Sequence, residues 1–171
     1  MLTKQTDAAA LQPLISLYDL YSNLFLNVTD GISETDSNNR LDTKANHPSW
    51  IAGSIVHQRY DLLRELDASQ IQKIDSPDYL ALFQSYQGIK PEQHYPQLND
   101  YADFWNSISP VLKETLNSLA LDRLNAKAPF DMGEPITYFE AITFMIHREA
   151  YCIGQVGLWR RLLGYEAMKY Q

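Results

Sequence analysis

The stretch from Thr137 to Gly164 constrains the fold of this chain more than any other part of the sequence. It reads TYFEAITFMIHREAYCIGQVGLWRRLLG and carries the longest uninterrupted helical pattern. Thr137 and Glu140 match the S/T-x-x-E capping box that starts a helix. Gly164 supplies the residue type that most readily adopts the left-handed conformation at a helix end. We therefore expect one long helix between these signals.

Two apolar stripes run along opposite sides of this predicted helix. The stripe that we expect to face the core, called the histidine stripe below, consists of Glu140, Phe144, His147, Tyr151, Gly154, Leu158 and Leu162. The opposite one, called the tryptophan stripe, consists of Met145, Cys152, Val156, Trp159 and Leu163. The tryptophan stripe has the three-and-four spacing of a coiled-coil seam, with Glu149 as its polar interruption.

A bundle helix needs only one broad face against its own core, so the tryptophan stripe predicts a partner surface. A two-fold homodimer through Met145, Cys152, Val156, Trp159 and Leu163 is the simplest partner. The alternative is that residues 67–97 cover this stripe within the monomer.

Three further amphipathic helices are predicted, at about 11–29, 48–66 and 98–119, from apolar residues that recur in three- and four-residue steps. Pro13 is tolerable only in a first helical turn, so the residues before it are expected to form a loose arm or a separate turn. Four such helices predict an all-α fold, an antiparallel four-helix bundle, in one domain over residues 1–171.

Residues 67–97 form an unusually long connection between the second and third predicted helices. Prolines and a glycine leave room for at most one short helix, near 79–86. Connections of this length often lie over a binding pocket. A packed crossover that covers one end of the bundle is the alternative.

Charge and composition exclude several classes of partner. The formal net charge of −7 repels phosphate backbones, so we expect no nucleic-acid partner. No run of 18 uninterrupted apolar residues is present and the N-terminal residues lack the apolar centre of a signal peptide. A single cysteine allows no intramolecular disulfide. These features predict a cytoplasmic protein without a membrane partner.

Motifs in three of the helices resemble those of the DinB/YfiT-like superfamily of four-helix bundles. They are NHPSWIAGSIVHQRYDLL in the second helix, YPxL before the third and HREAYCIGQVGLWRRLLG in the fourth. The resemblance implies one divalent metal bound by three histidines, one from the second helix and an H-x3-H pair from the fourth. It also implies, for some members, transferase activity with low-molecular-weight thiols. Residues four apart stack on one helix face, so two such histidines converge on one ion.

The resemblance places this triad on Ser54, His147 and Tyr151, so only one of the three histidines is present. Serine and tyrosine hydroxyls are poor ligands for Zn²⁺ or Ni²⁺ beside imidazole. We therefore expect neither the family metal nor another cofactor. The alternative is a rearranged Zn or Ni site that joins His147 to His57. We expect His57 to point away from the core, beside Asp61. The further candidate ligands of such a site are Asp61 and Glu140.

Three functions stay open at this stage. Ser54, His147 and Tyr151 could form a polar patch in an aromatic-lined cleft that binds a small molecule without catalysis. The same residues could instead perform acid–base chemistry, or a rearranged metal site could support a thiol S-transferase or hydrolase-like reaction. A structural or protein-interaction module acting through the tryptophan stripe is the third. Of these, the sequence favours a dimeric bundle protein that lacks the family metal and acts as a small-molecule-binding or non-enzymatic protein.

Overall fold

The computed structural model describes residues 4–84, 87–90, 92–130 and 133–170, and side chains from residue 11 onwards. Its elements are α1 (Lys4–Thr29), α2 (Glu34–Ser37), α3 (Pro48–Leu66), α4 (Ala68–Ile71), a 3₁₀ helix (Asp78–Phe83), α5 (Leu98–Ser118), α6 (Leu121–Asn125) and α7 (Tyr138–Leu162). No β-strand occurs among the described residues, so the predicted all-α class is confirmed. Within the same residues, no helix is long and apolar enough to cross a membrane.

The four long helices, α1, α3, α5 and α7, enclose the core. Both α1 and α3 pack against α5 and α7. α1 and α5 run in opposite directions. The Tyr18 hydroxyl donates to the carbonyl of Ser109 at 2.9 Å, and Trp105 Nε1 donates to the carbonyl of Ser22, further along α1, at 3.1 Å. α3 and α7 also run antiparallel.

α3 and α5 run in the same direction, which differs from the uniformly antiparallel arrangement expected from the sequence. Ser49, at the start of α3, lies 3.5 Å from the hydroxyl of Tyr101, near the start of α5. Further along both helices, Arg59 donates to Ser109 at 2.6 Å. The physical reason is the connection over residues 67–97. It is long enough to return the chain to the end of the molecule at which α3 begins.

This connection packs over the side of α3 that faces away from the core. Phe83, in the 3₁₀ helix, lies directly on Gly53, where a Cβ atom would be 2.1 Å from Phe83 Cζ. Trp50 and His57, on the same side of α3, are buried beneath it. Glycine at position 53 is what allows this close approach. The short helix predicted near 79–86 corresponds to the 3₁₀ helix, and residues 85 and 86 lie outside the described residues. The expectation of at most one short helix in this connection is wrong, because α4 is a second one.

The prediction of a loose arm before Pro13 is wrong, because α1 begins at Lys4 and Pro13 lies inside it. Leu11 and Ile15, one helical turn apart on either side of this proline, are both buried in the core. The proline ring itself lies on the exposed side of the helix. The burial of the two apolar side chains offsets the backbone hydrogen bond that a proline removes.

α7 begins and ends where predicted, but the face that it turns toward the core is the opposite of the predicted one. The capping box between Thr137 and Glu140 is present, and Gly164 has a φ of +88° just beyond the last turn. The tryptophan stripe faces the core, where Cys152, Val156 and Trp159 are buried. The histidine stripe faces solvent. The prediction of its inward orientation is therefore wrong, and the surface predicted for a homodimer is occupied by the chain's own core. The homodimer itself stays a prediction, for which another surface is needed.

The start of α3 is held by a buried histidine. His47 is the N-cap residue, and its Nδ1 atom accepts a hydrogen bond from the backbone N–H of Trp50 at 3.1 Å. Pro48 occupies the first turn, as its position in the sequence predicts. Burial, together with the nearby positive charge of Arg40, lowers the pKa of His47 to about 4. A proton on His47 is therefore disfavoured in the folded protein.

We expect His47 to make the stability of the fold depend on pH. The unfolded chain takes up this proton near pH 6.5, whereas the folded chain does so only near pH 4. The stabilisation is thus complete above pH 6.5 and is lost as the pH falls to 4, by up to about 3 kcal/mol. His47→Asn keeps an N-cap acceptor but does not titrate. In urea unfolding between pH 7 and 4, the wild-type protein should lose up to about 3 kcal/mol relative to the variant as the pH falls, and a difference between the two that stays constant with pH would contradict this assignment.

Candidate functional site

The predicted pocket of Ser54, His147 and Tyr151 is not assembled. Ser54 is fully buried between α3 and α7. His147 and Tyr151 lie on the exposed histidine stripe, on the other side of α7. The family resemblance assigns two ligand positions of α7 to His147 and Tyr151, but the face of α7 that meets α3 lies one residue further along the chain.

Arg148 is the α7 residue that meets Ser54. One guanidinium nitrogen lies 3.0 Å from Ser54 Oγ, and another donates to Gln58 Oε1 at 3.0 Å. Gln58 in turn donates from Nε2 to the backbone carbonyl of Met145 at 2.8 Å. Cys152 lies one helical turn after Arg148 and is buried, and this burial raises the pKa of its thiol. The α3–α7 interface is thus closed by a cation and its hydrogen-bond acceptors.

A second arginine lies at the centre of the molecule. Arg59 and Glu149 form a two-pronged ion pair, with Nε to Oε1 and Nη2 to Oε2 both at 2.7 Å. The remaining guanidinium nitrogen, Nη1, donates to the hydroxyls of Ser22 at 2.9 Å and Ser109 at 2.6 Å. Both charged side chains are buried. A paired and hydrogen-bonded arginine avoids most of the cost of burying an isolated charge.

Two aromatic rings complete the surroundings of Arg59. Its guanidinium carbon lies 3.9 Å from the ring centre of Tyr18 and 3.4 Å from that of Trp105, within the range of cation–π contacts. The burial of Tyr18 raises the pKa of its hydroxyl, which stays protonated and donates to the carbonyl of Ser109. α1, α3, α5 and α7 each contribute a side chain to this network, called the central arginine network below.

The central arginine network was not predicted, although the sequence carries a signal for it. Arg59 lies on the apolar side of the second predicted helix, together with Ile55 and Leu62. Glu149 likewise interrupts the tryptophan stripe. One isolated charge of each sign on two apolar faces is the pattern of a buried ion pair between helices. Glu149 was interpreted instead as a polar interruption in a partner surface.

The predicted neighbours His57 and Asp61 do lie together, with Nδ1 3.2 Å from a carboxylate oxygen. Burial lowers the pKa of His57, and the adjacent carboxylate opposes this shift. His57 lies under residues 67–97, whereas His147 lies on the exposed face of α7, so the alternative metal pair is not brought together. No group of three or more His, Cys, Asp or Glu side chains among the described residues is placed to hold a metal ion.

An open cleft of about 570 Å³ lies at the end of the molecule where α3 begins. Its side chains are mostly polar and carry both signs of charge. The lining residues are Glu34, Thr35, Asn38, Arg40, His47, Ile89, Lys90, Gln93 and His94. The volume falls within the range of small-molecule sites, although such sites are usually more apolar.

We expect single substitutions in the buried ion pair to destabilise the protein more than the double substitution does. Glu149→Gln removes the countercharge of Arg59 and should cost about 3 kcal/mol or more in unfolding free energy, because an unpaired buried guanidinium is left behind. Arg59→Met combined with Glu149→Leu removes both charges and should recover part of this loss. Urea unfolding of the single and double variants measures the coupling, and additive losses would contradict it.

No protein-family model matches the sequence, and no curated protein matches it. The features that bear on function are the partly buried Arg148 between α3 and α7, the buried Arg59, the cleft and the exposed surfaces.

Proposed function

We propose that this chain is a metal-free, non-enzymatic helical bundle of the DinB/YfiT-like type, which acts by binding. The observation that carries this proposal is the position of Arg148 between α3 and α7. Its guanidinium is bonded to Ser54 and Gln58 where the family resemblance calls for a divalent cation. A guanidinium keeps its positive charge at physiological pH and has no lone pair to offer a metal.

The arrangement of the long helices supports the bundle part of the proposal. Each long helix packs against two others around one core, and α3 and α5 run parallel because residues 67–97 cross over between them. Four-helix bundles with a long crossover connection are an established variant of the simple up-and-down kind. The motifs quoted for the DinB/YfiT-like resemblance lie in α3, before α5 and in α7, three of these four positions.

The rotation of α7 about its own axis supports the part of the proposal that says no metal is bound. Arg148 meets Ser54 of α3, and Cys152, four residues later on the same face of α7, is buried. These two residues occupy the positions that an H-x3-H pair facing Ser54 would need. Only the thiol of Cys152 is a metal-binding type, and its raised pKa keeps it protonated. We infer that hydrogen bonds from Arg148 join α3 to α7 in the role that a shared cation has in the family.

A metal-binding variant tests this proposal. Wild-type protein should carry less than about 0.1 equivalent of Zn or Ni by elemental analysis. Ser54→His with Arg148→His places two imidazoles beside Cys152, and should bind Co²⁺ with a thiolate charge-transfer band. Tyr151→His is the matched control, because it restores an H-x3-H pair on the exposed side of α7 and should show no such band.

One equivalent of metal in the wild-type protein would overturn the proposal whether or not the double variant folds. Metal that is retained in Arg148→Ala would show that the ion lies elsewhere in the molecule.

Binding of a small polar molecule is a second candidate, favoured by the cleft at the start of α3. Arg40 and Lys90 place positive charges around it, His94 adds an imidazole, and Glu34 adds a carboxylate. Such a lining suits a ligand that carries an anionic group and a hydrogen-bond donor.

A thermal-shift screen of small organic acids tests this second candidate. A ligand at 100 times its Kd should add about 2.7 kcal/mol to the unfolding free energy of the wild-type protein. The gain should fall in Lys90→Ala and persist in Lys127→Ala, an exposed lysine outside the cleft. An equal loss in both variants would place the ligand elsewhere.

A further inference from the structure

The histidine stripe forms an apolar surface in contact with solvent. Phe144, Tyr151, Leu158 and Leu162 are 44%, 65%, 51% and 57% exposed. Leu17 and Leu20 on α1, which packs beside α7, are exposed as well. Four of the ten large apolar side chains that the described residues expose therefore lie on this stripe, and two more lie on the helix that packs beside it. A concentration of this kind is typical of an interaction surface.

We propose that two copies of this chain pair through their histidine stripes, antiparallel, about a two-fold axis at Tyr151. The proposal concerns a different surface from the α3–α7 interface, and it holds whether or not the bundle binds a metal. A two-fold contact joins one surface to itself, so the stripe must be complementary to its own reversed copy. Both its charges and its apolar residues meet this condition.

Charge is arranged with opposite signs at the two ends of the stripe. Glu140 lies at its beginning, and Arg161, beside Leu162, lies at its end; both are exposed. Hydrogen bonds from Thr137 lower the pKa of Glu140, so its carboxylate is ionised at neutral pH. Antiparallel pairing brings Glu140 of each copy to Arg161 of the other, giving two ion pairs. A parallel pairing would instead place like charges together.

The apolar residues follow the same symmetry. Tyr151 stands midway between Glu140 and Arg161, and Phe144 and Leu158 each lie two helical turns from it. Reversal about Tyr151 therefore places Phe144 of one copy on Leu158 of the other. Gly154 leaves an open place on this surface, since a Cβ atom there would meet nothing within 4 Å. A second helix can approach closely at that point.

The size of the surface suits a stable dimer. From Glu140 to Leu162 the stripe is about 33 Å long at 1.5 Å per residue. With the adjacent edge of α1 it is about 20 Å wide, giving roughly 650 Å² per copy, close to the ~800 Å² of a standard interface. The C-terminal residues Ala167, Met168 and Tyr170 border the stripe beside Gly154, Leu158 and Arg161 but leave Leu158 half exposed and Arg161 exposed. They narrow the surface without covering it.

Disulfide trapping tests the position of the two-fold axis directly. The native Cys152 is buried, so only a newly introduced surface cysteine should form a disulfide between two copies. Tyr151→Cys should form a covalent dimer on mild oxidation, since the two copies meet at this residue. Leu158→Cys should not, because its two copies lie about 21 Å apart along the helices, far beyond disulfide reach. A mixture of Phe144→Cys and Leu158→Cys proteins should form the mixed dimer. Equal self-trapping at positions 151 and 158 would overturn the antiparallel arrangement.

Solution mass measurement tests the dimer without cysteines. By light scattering over a dilution series, wild-type protein should be dimeric at micromolar concentration. Leu158→Glu should weaken the dimer at least ~100-fold, because the change occurs twice in a symmetric interface. Leu121→Glu, at a comparably exposed leucine on α6, is the matched control and should leave it unchanged. A wild-type protein that is monomeric at 100 μM, or that pairs only with a different protein, would overturn the proposal.

Discussion

The ion pair between Arg59 and Glu149 is the interaction on which the arrangement of the helices depends. The residues that contact this ion pair come from all four long helices. Ser22 and Ser109 accept hydrogen bonds from the third guanidinium nitrogen of Arg59, and two aromatic rings lie over the guanidinium group. A buried guanidinium without its carboxylate would cost several kcal/mol. Any packing of α7 that keeps Arg59 inside must therefore turn Glu149 inward as well. This requirement fixes the rotation of α7 about its own axis.

Much of the secondary structure could be predicted from the sequence, because its signals are local. Pro48, the Thr137–Glu140 capping box and Gly164 each act within one helical turn, and all three mark helix ends as predicted. The rotation of α7 is not a local property. Both of its stripes are apolar, so the pattern alone does not choose between them. The choice comes from Arg59, on another helix and far away in the sequence.

The buried outer side of α3 depends on information of the same non-local kind. The length of the connection over residues 67–97 is plain in the sequence, but the place where it packs is set by the fit of Phe83 against Gly53. That contact buries His57 and Trp50, which a helical wheel places outside the main apolar stripe of α3. The candidate site Ser54–His147–Tyr151 failed because its members were assigned from a family register and an apolar pattern. Neither the family register nor the apolar pattern includes the ion pair between Arg59 and Glu149, which orients α7.

The rotation of α7 links the two proposals made for this protein. With Glu149 turned toward Arg59, the neighbouring Arg148 comes to Ser54 and Gln58, and a fixed positive charge occupies the α3–α7 interface. The same rotation carries Phe144, Leu158 and the rest of the histidine stripe to the opposite side, where none of the described helices covers them. The core takes up only one of the two apolar faces of α7, and the ion pair selects the tryptophan stripe for it. The histidine stripe is therefore the face left exposed, and its complementarity to its own reversed copy is the reason that we propose a second copy of the chain as its partner.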